Sequence, residues 1–245
     1  MPLELQLALL GLGSFVTGIL SGISGGGAGL VMVPLGIAVG LPPQVAVGTM
    51  KMAGLGSAFG GLSVFAKSGH IRKDIVKFML PVVIVIGIAT PFVFKAINAE
   101  VFQNIIGVLL IVLTPTLFLR KSMLKPSRKK QGLGYVLYSG ILTLQALFST
   151  GVGVLANFVL TLLLGTTKLE ANATKRAVSA CLVPLTFTGL LITGFVSLPH
   201  GFVLLIAGFL GTHIGSKIAV NKGESFVTYA MAILAVVSGV WLLVS

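Results

Sequence analysis

Apolar residues group into ten long stretches separated by short polar or glycine-rich breaks. The stretches are continuous rather than alternating, which is typical of helices packed among lipid or other helices. They predict helical segments at roughly 4–22, 28–40, 45–66, 75–96, 101–119, 133–149, 153–165, 176–194, 201–220 and 225–244. The first stretch lacks a basic leader, so we expect it to be retained as a helix rather than cleaved as a signal.

Two of these segments, 28–40 and 153–165, are unusually short. Crossing a hydrocarbon core of roughly 30 Å takes about 20 residues of helix. Each short segment follows a flexible run, Gly25–Gly27 or Thr150–Gly153. We therefore predict broken or re-entrant helices, which persist at membrane depth only where protein or water satisfies the backbone. The chain has ten crossings if these pieces span the bilayer and eight if they do not.

The two halves of the chain resemble each other weakly at a constant offset of 125 residues. The matches include Ser24 with Ser149, Gly40 with Gly165, Thr49 with Thr174, and Lys51 with Arg176. The pattern predicts two related repeats of about five helical segments each. Five crossings per half would make the repeats inverted, which we favour, and four would make them parallel.

Composition indicates an all-α polytopic integral membrane protein, because 56% of the residues are hydrophobic and 9% charged. We divide the 245 residues into an N-terminal membrane repeat (1–119), a basic cytoplasmic linker (120–132) and a C-terminal membrane repeat (133–245). The linker contains no acidic residue, so it marks the cytoplasmic side. Residues 166–176 are predicted to form another cytoplasmic loop, and both termini to lie outside.

The net charge of +12 is carried by cations in short loops. In so hydrophobic a chain, such cations set the orientation and contact anionic lipid, and we expect no nucleic-acid partner. Cys181 is the single cysteine, which excludes a disulfide framework or a cysteine metal cluster within one chain. We expect no cofactor and no metal, and the sequence does not determine the oligomeric state.

Glycine-interrupted segments at corresponding places in two halves indicate a transporter's binding site. Lys51 and Arg176 are predicted to begin long apolar helices, where a cation marks a path for an anionic substrate. Further donors and close-approach glycines complete the predicted site: Ser24, Gly25, Gly26, Gly27, Thr49, Ser149, Gly151, Asn157 and Thr174. The alternative is that both cations reach lipid headgroups, while the glycines only allow close helix packing.

His213 lies within segment 201–220 and is the candidate for a group that couples transport to protons. A structural hydrogen bond to a neighbouring helix is the alternative. Separately, Gly22–Gly25 matches the GxSG of rhomboid-type proteases, which would make Ser24 the nucleophile of an intramembrane hydrolase. Such a serine needs a positioned base, and a short match arises easily in a glycine-rich chain. We expect that the protein is not an enzyme.

The run from Gly22 to Gly54 resembles the repeat of the sulfite exporter TauE/SafE family, also called the toluene-sulfonate uptake permease family. The residues that carry the resemblance are Gly25–Gly27 with Gly29, Pro34, Gly40–Pro42 and Ala46–Thr49. The second half departs from this pattern, with Val159 at the proline position and Ala171–Thr174 in place of Ala-x-Gly-Thr. We therefore regard the chain as a diverged member.

The resemblance implies a secondary transporter in the cytoplasmic membrane, and we expect two related halves to work by alternating access. Its substrate would be a sulfur-containing or organic anion such as sulfite, a sulfonate or sulfoacetate. An anion channel with the same positive lining is the alternative within transport.

Overall fold

Helices form the regular secondary structure in a computed structural model that describes residues 1–26, 28–98, 101, 128–149 and 153–244. Within these residues there is no strand. The helices are α1 (Leu3–Ser24), α2 (Ala28–Ala38), α3 (Pro43–Ser68), α4 (Lys73–Ala96), α5 (Arg128–Phe148), α6 (Gly153–Leu163), α7 (Lys168–Ile192) and α8 (Leu198–Val244). Gly27, Gly151, nearly all of the predicted segment 101–119 and linker residues 120–127 lie outside the described residues.

Four stretches of this part of the chain are long and apolar enough to cross a membrane: α1, α4, α7 and the first part of α8, Leu198–Gly223. Large apolar side chains point outward from them, with Phe92 74% and Ile192 80% exposed. The prediction of an all-α polytopic membrane protein is therefore confirmed. A break inside α8 at Gly223 (φ 75°, ψ −173°) falls between the predicted segments 201–220 and 225–244.

Both predicted interruptions are present. Gly25 ends α1 in the left-handed conformation (φ 81°), and Ser149 follows α5 with φ 51°. The next helices, α2 and α6, have 11 residues each, a length of about 16 Å at the rise of an α-helix. Each is therefore about half as long as a hydrocarbon core of roughly 30 Å is thick.

Two predicted boundaries are wrong. Helix α7 begins at Lys168, so residues 168–176 are not a loop. A capping box starts the helix early, because Thr167 Oγ1 accepts from the Glu170 N–H and Glu170 Oε2 accepts from the Thr167 N–H. Helix α5 begins at Arg128, so the last part of the predicted linker 120–132 is helical.

The helices of the two halves are interleaved. Helix α1 packs along the first part of α8, and α4 packs against α5 and α7. Helix α3 packs against both α7 and α8. Since α1 corresponds to α5 and α4 to the first part of α8 under the 125-residue offset, the α1–α8 and α4–α5 contacts are equivalent. The packing agrees with two related halves, while their inversion stays a prediction.

Glycines bring the backbones of crossing helices together. A Cβ at Gly22 of α1 would lie 2.7 Å from the backbone oxygen of Thr212 in α8. A Cβ at Gly56 of α3 would lie 2.8 Å from the backbone nitrogen of Phe209. Backbone cannot yield as a flexible side chain does, so these glycines are required by close helix packing.

Replacing Gly56 by alanine is therefore expected to destabilise the protein by about 1–3 kcal/mol, the usual cost of overpacking. The matched control is Gly140→Ala in α5, because Gly140 is exposed and has nothing within 4 Å of its Cβ position. Alanine favours a helix interior over glycine, so the control should melt at the same or a slightly higher temperature. Thermal unfolding in detergent measures both, and equal melting temperatures of Gly56→Ala and wild type would contradict the packing.

Candidate functional site

The broken end of α1 is held by side chains from the second half of the chain. The last carbonyls of a helix have no partner within it. Here Arg176 Nη2 donates to the Ser21 carbonyl at 2.5 Å, and Asn172 Nδ2 donates to the Gly22 carbonyl at 2.9 Å. Asn157 Nδ2 donates to the Ser24 carbonyl, also at 2.9 Å. Side chains of α6 and α7 thus donate to the carbonyls at the end of α1 that have no partner within the helix.

The end of α5 is held in the same way from the first half. Lys51 Nζ donates to the carbonyls of Gln145 at 2.8 Å and Ala146 at 2.5 Å. Ala146 follows Ser21 by 125 residues, just as Arg176 follows Lys51. Each half therefore supplies a cation to the last turn of the other half's first helix, where positive charge is favourable.

These contacts change the interpretation of the two predicted cations. Lys51 and Arg176 do not begin helices but lie well inside α3 and α7. Their side chains are 3% and 5% exposed, so neither reaches toward lipid headgroups. Arg176 also donates through Nη1 to Ser57 Oγ at 2.7 Å. Both cations hold the halves together as well as bordering the space between them.

Thr49 and Thr174 form a second equivalent pair. Thr49 Oγ1 accepts from the N–H of Ser197 at 3.0 Å, and Thr174 Oγ1 accepts from the N–H of Arg72 at 3.0 Å. The donors, like the threonines, are 125 residues apart. Each threonine therefore anchors the turn that follows a long helix of the opposite half.

A cavity of about 130 Å³ lies between the halves. By the same measure of cavity volume, one buried water needs roughly 10–15 Å³. The cavity therefore has room for an ion of several heavy atoms. Five of the predicted residues line it: Gly25, Gly26, Lys51, Ser149 and Arg176. Its other polar lining side chains are Ser14, Thr17, Ser21, Ser57, Gln145, Lys175, Ser179 and Thr186.

Four other predicted residues, Ser24, Thr49, Asn157 and Thr174, are not in the lining. They are almost fully buried and hydrogen-bonded to backbone. They are polar groups near the breaks in the sequence, and the bonds described for them join parts of the fold outside the cavity lining.

His213 is also outside the cavity lining. Its Nδ1 lies 2.8 Å from Ser63 Oγ, and its ring stacks on Phe209. The bond joins α8 to α3, which is the structural alternative considered for this histidine. The geometry gives His213 no contact with the space where an anion would bind.

Ser24, the nucleophile of the alternative hydrolase hypothesis, has no histidine among its hydrogen-bond partners. Its Oγ donates to the Leu20 carbonyl at 2.8 Å and to the Gly26 carbonyl at 3.0 Å. His200 instead lies 2.7 Å from Ser197 Oγ and 2.9 Å from Gln6 Oε1. Neither His200 nor His213 is placed as the base that a nucleophilic Ser24 would need.

Lys175 lines the cavity and was missed as a site residue. It is 4% exposed, and Nζ donates to the Gly153 carbonyl at the start of α6 at 3.3 Å. The sequence analysis placed it in the loop 166–176. The T-x-x-E pattern of Thr167–Glu170 is the signal that could have extended the helix past it.

The cavity is strongly positive. Lys51, Lys175 and Arg176 line it, and no acidic residue is among the lining residues that the structure describes. Buried cations are normally paired, because removing a charge from water is costly. A lining of this kind favours a ligand of negative charge.

Comparison with known proteins agrees with a transport function. The model of the family described as "Sulfite exporter TauE/SafE" matches residues 10–242. The chain belongs to the TauE/SafE family. It is similar to a "Probable membrane transporter protein" of Haemophilus influenzae, 24% identical over 94% of this chain and 91% of the relative. The membership confirms the predicted resemblance.

Other TauE/SafE relatives carry similar names. The "Probable membrane transporter protein YfcA" of Escherichia coli K12 is 24% identical over 98% of this chain and 90% of its own length. The "Probable membrane transporter protein ORF9" of Sinorhizobium is 25% identical over 97% and 92%. No solved structure matches the chain. The protein is thus a member of a membrane transporter family.

The hydrogen bonds of Thr49 and Thr174 predict that loss of either hydroxyl lowers the free energy of unfolding by a similar amount. Thr49→Val or Thr174→Val should each cost about 1–3 kcal/mol, because a half-buried N–H of the other half loses the acceptor that the buried threonine provides. The control is Thr143→Val, since exposed Thr143 bonds only within its own helix, to Ser139, in the described contacts. Thermal unfolding of the three variants tests this, and a neutral effect at both buried positions would refute the anchoring role.

Proposed function

We propose that this protein is a secondary transporter that moves a small sulfur-containing or organic anion across the cell membrane. The observation that carries the proposal is the cavity between the halves, with three buried cations and no acidic lining residue in the described part of the chain. Sulfite, sulfonates and sulfoacetate fit the chemistry of such a site, because their oxygens accept several charge-assisted hydrogen bonds. The family description, "Sulfite exporter TauE/SafE", supports the same substrate class.

Lys175 is the principal ligand of the anion in this proposal. Lys51 and Arg176 already donate short bonds to helix-end carbonyls, whereas Lys175 has one long bond to Gly153. Hydroxyls of Ser21, Ser149 and Ser179 border the same space and supply neutral donors. The starts of α2 and α6, near Ala28 and Gly153, also line the cavity, and helix N-termini favour anions.

The packing supports the proposal of alternating access. One bundle contains α1 with the first part of α8, and another contains α4 with α5 and α7. The cavity is lined by residues from both bundles. Rocking of one bundle against the other would open the cavity to each side in turn.

Binding tests the site directly. Purified protein would be heated with sulfite, thiosulfate, sulfoacetate, a taurine-like sulfonate, sulfate or acetate, since a ligand that binds the folded state raises the melting temperature. We expect stabilisation by at least one sulfur anion. Lys175→Met should lower its affinity roughly 10- to 100-fold, the value of a charge-assisted bond.

The control for this variant is Lys77→Met, because Lys77 is exposed on α4 and outside the lining. It should bind like wild type. Without anion, Lys175→Met should melt no lower than wild type, since the buried Nζ that it removes has one weak partner. Unchanged anion affinity in a folded Lys175→Met would contradict the assignment.

Counterflow distinguishes a carrier from a channel. Proteoliposomes loaded with unlabelled substrate should take up labelled substrate transiently above its external concentration if the site alternates between the two sides. A channel offers a continuous path and would show no such overshoot. Its absence with an anion that binds would therefore contradict alternating access.

A further inference from the structure

The three cations of the cavity differ in how firmly their protons are held. Arg176 donates to Ser21 and Ser57 and carries a guanidinium that does not lose its proton in proteins. Lys51 Nζ donates to two carbonyls at the end of α5. Lys175 Nζ has a single hydrogen bond, 3.3 Å long, to Gly153 in the contacts described. Lys175 is therefore the cation with the least support for its charge.

The surroundings of Lys175 contain positive groups and no described negative one. Lys51 on α3 and Arg176 on α7 are the titratable or charged groups that share the lining with it. The described lining from α1, α2, α5, α6 and α8 supplies hydroxyls, an amide, apolar side chains and glycines. A third positive charge in an empty cavity would be desolvated and repelled, whereas a bound anion would stabilise it.

We propose that Lys175 couples anion binding to the uptake of one proton. The inference rests on the anion-carrier function proposed above. The Nζ amine is neutral in the empty cavity, takes one proton from water as the anion enters, and returns it when the anion leaves. A monovalent anion would thus cross together with one proton, and the loaded carrier would have the same net charge as the empty one.

The repeat makes this group unique to one half. The residue 125 positions before Lys175 is Met50, which also lines the cavity but does not titrate. The coupling should therefore involve one proton per anion rather than two. His213 cannot substitute, because it bonds Ser63 away from the cavity.

The probe for the test is ethanesulfonate, the anion of a strong acid, which brings no titrating proton of its own. Wild-type protein in detergent would be mixed with ethanesulfonate at about pH 8 in weak buffer with an indicator dye. We expect net proton uptake approaching one per bound anion. Where the free amine is neutral and the bound form is charged, the apparent Kd should rise tenfold per pH unit.

Lys175→Arg separates binding from coupling, because its guanidinium stays charged. This variant should still bind ethanesulfonate but take up no proton, and its affinity should be independent of pH over the same range. Lys77→Arg is the matched control on the exposed face of α4 and should retain wild-type uptake. If Lys175→Arg does not fold, the absence of proton uptake by wild type would still overturn the proposal.

The outcomes distinguish this inference from the function on which it rests. Binding of ethanesulfonate to wild type without proton uptake would overturn the coupling and leave the anion site intact. Persistent uptake in a folded Lys175→Arg would also overturn it, because another group would then carry the proton. Failure of ethanesulfonate and of the whole sulfur-anion panel to bind would overturn the anion site and the coupling together.

Discussion

The structure depends on how two helix ends are satisfied inside a membrane. Where α1 and α5 stop, their last carbonyls have no partner in the helix, and these ends are buried in the protein. The opposite half supplies the donors, Arg176 to α1 and Lys51 to α5. Each such bond joins the two halves. The hydrogen bonds that pair these carbonyls therefore also hold together the two halves that line the cavity.

The same arrangement explains why a positive cavity exists in so apolar a protein. Cations are costly at membrane depth unless they have partners. The helix-end carbonyls provide partners for Lys51 and Arg176, and this holds both charges beside the cavity. Lys175 adds charge on one side, where the other half has Met50. The approximate repeat therefore places Lys51 and Arg176 beside the cavity. Lys175, which has no counterpart in the other half, is the proposed principal ligand of the anion.

Many of the helices, their breaks and the repeat were predictable from the sequence. Continuous apolar runs predicted the helices, and Gly25 predicted the first break. The offset of 125 residues paired Lys51 with Arg176, and it reappears in the structure as equivalent contacts and as left-handed glycines at Gly40 and Gly165. These features depend on residues near one another in the chain or on a simple repeat.

Several predicted site residues have structural partners that are distant in the chain. Thr174 was predicted as a ligand, but its acceptor oxygen serves the N–H of Arg72, 102 positions away. Lys51 and Arg176 both donate to backbone carbonyls, which leave no mark in the identity of a side chain. Lys175 was missed for a different reason: its neighbouring charges suggested a loop, while a capping box had already started the helix.

The central claim is that an anion binds between the halves, beside the cations that join them. Crystals grown with bromomethanesulfonate would test it, because anomalous scattering locates bromine independently of the protein model. We predict a bromine peak inside the cavity bounded by Lys51, Lys175 and Arg176. Bromine peaks confined to the outer surface, with the cavity empty at a saturating concentration, would contradict it.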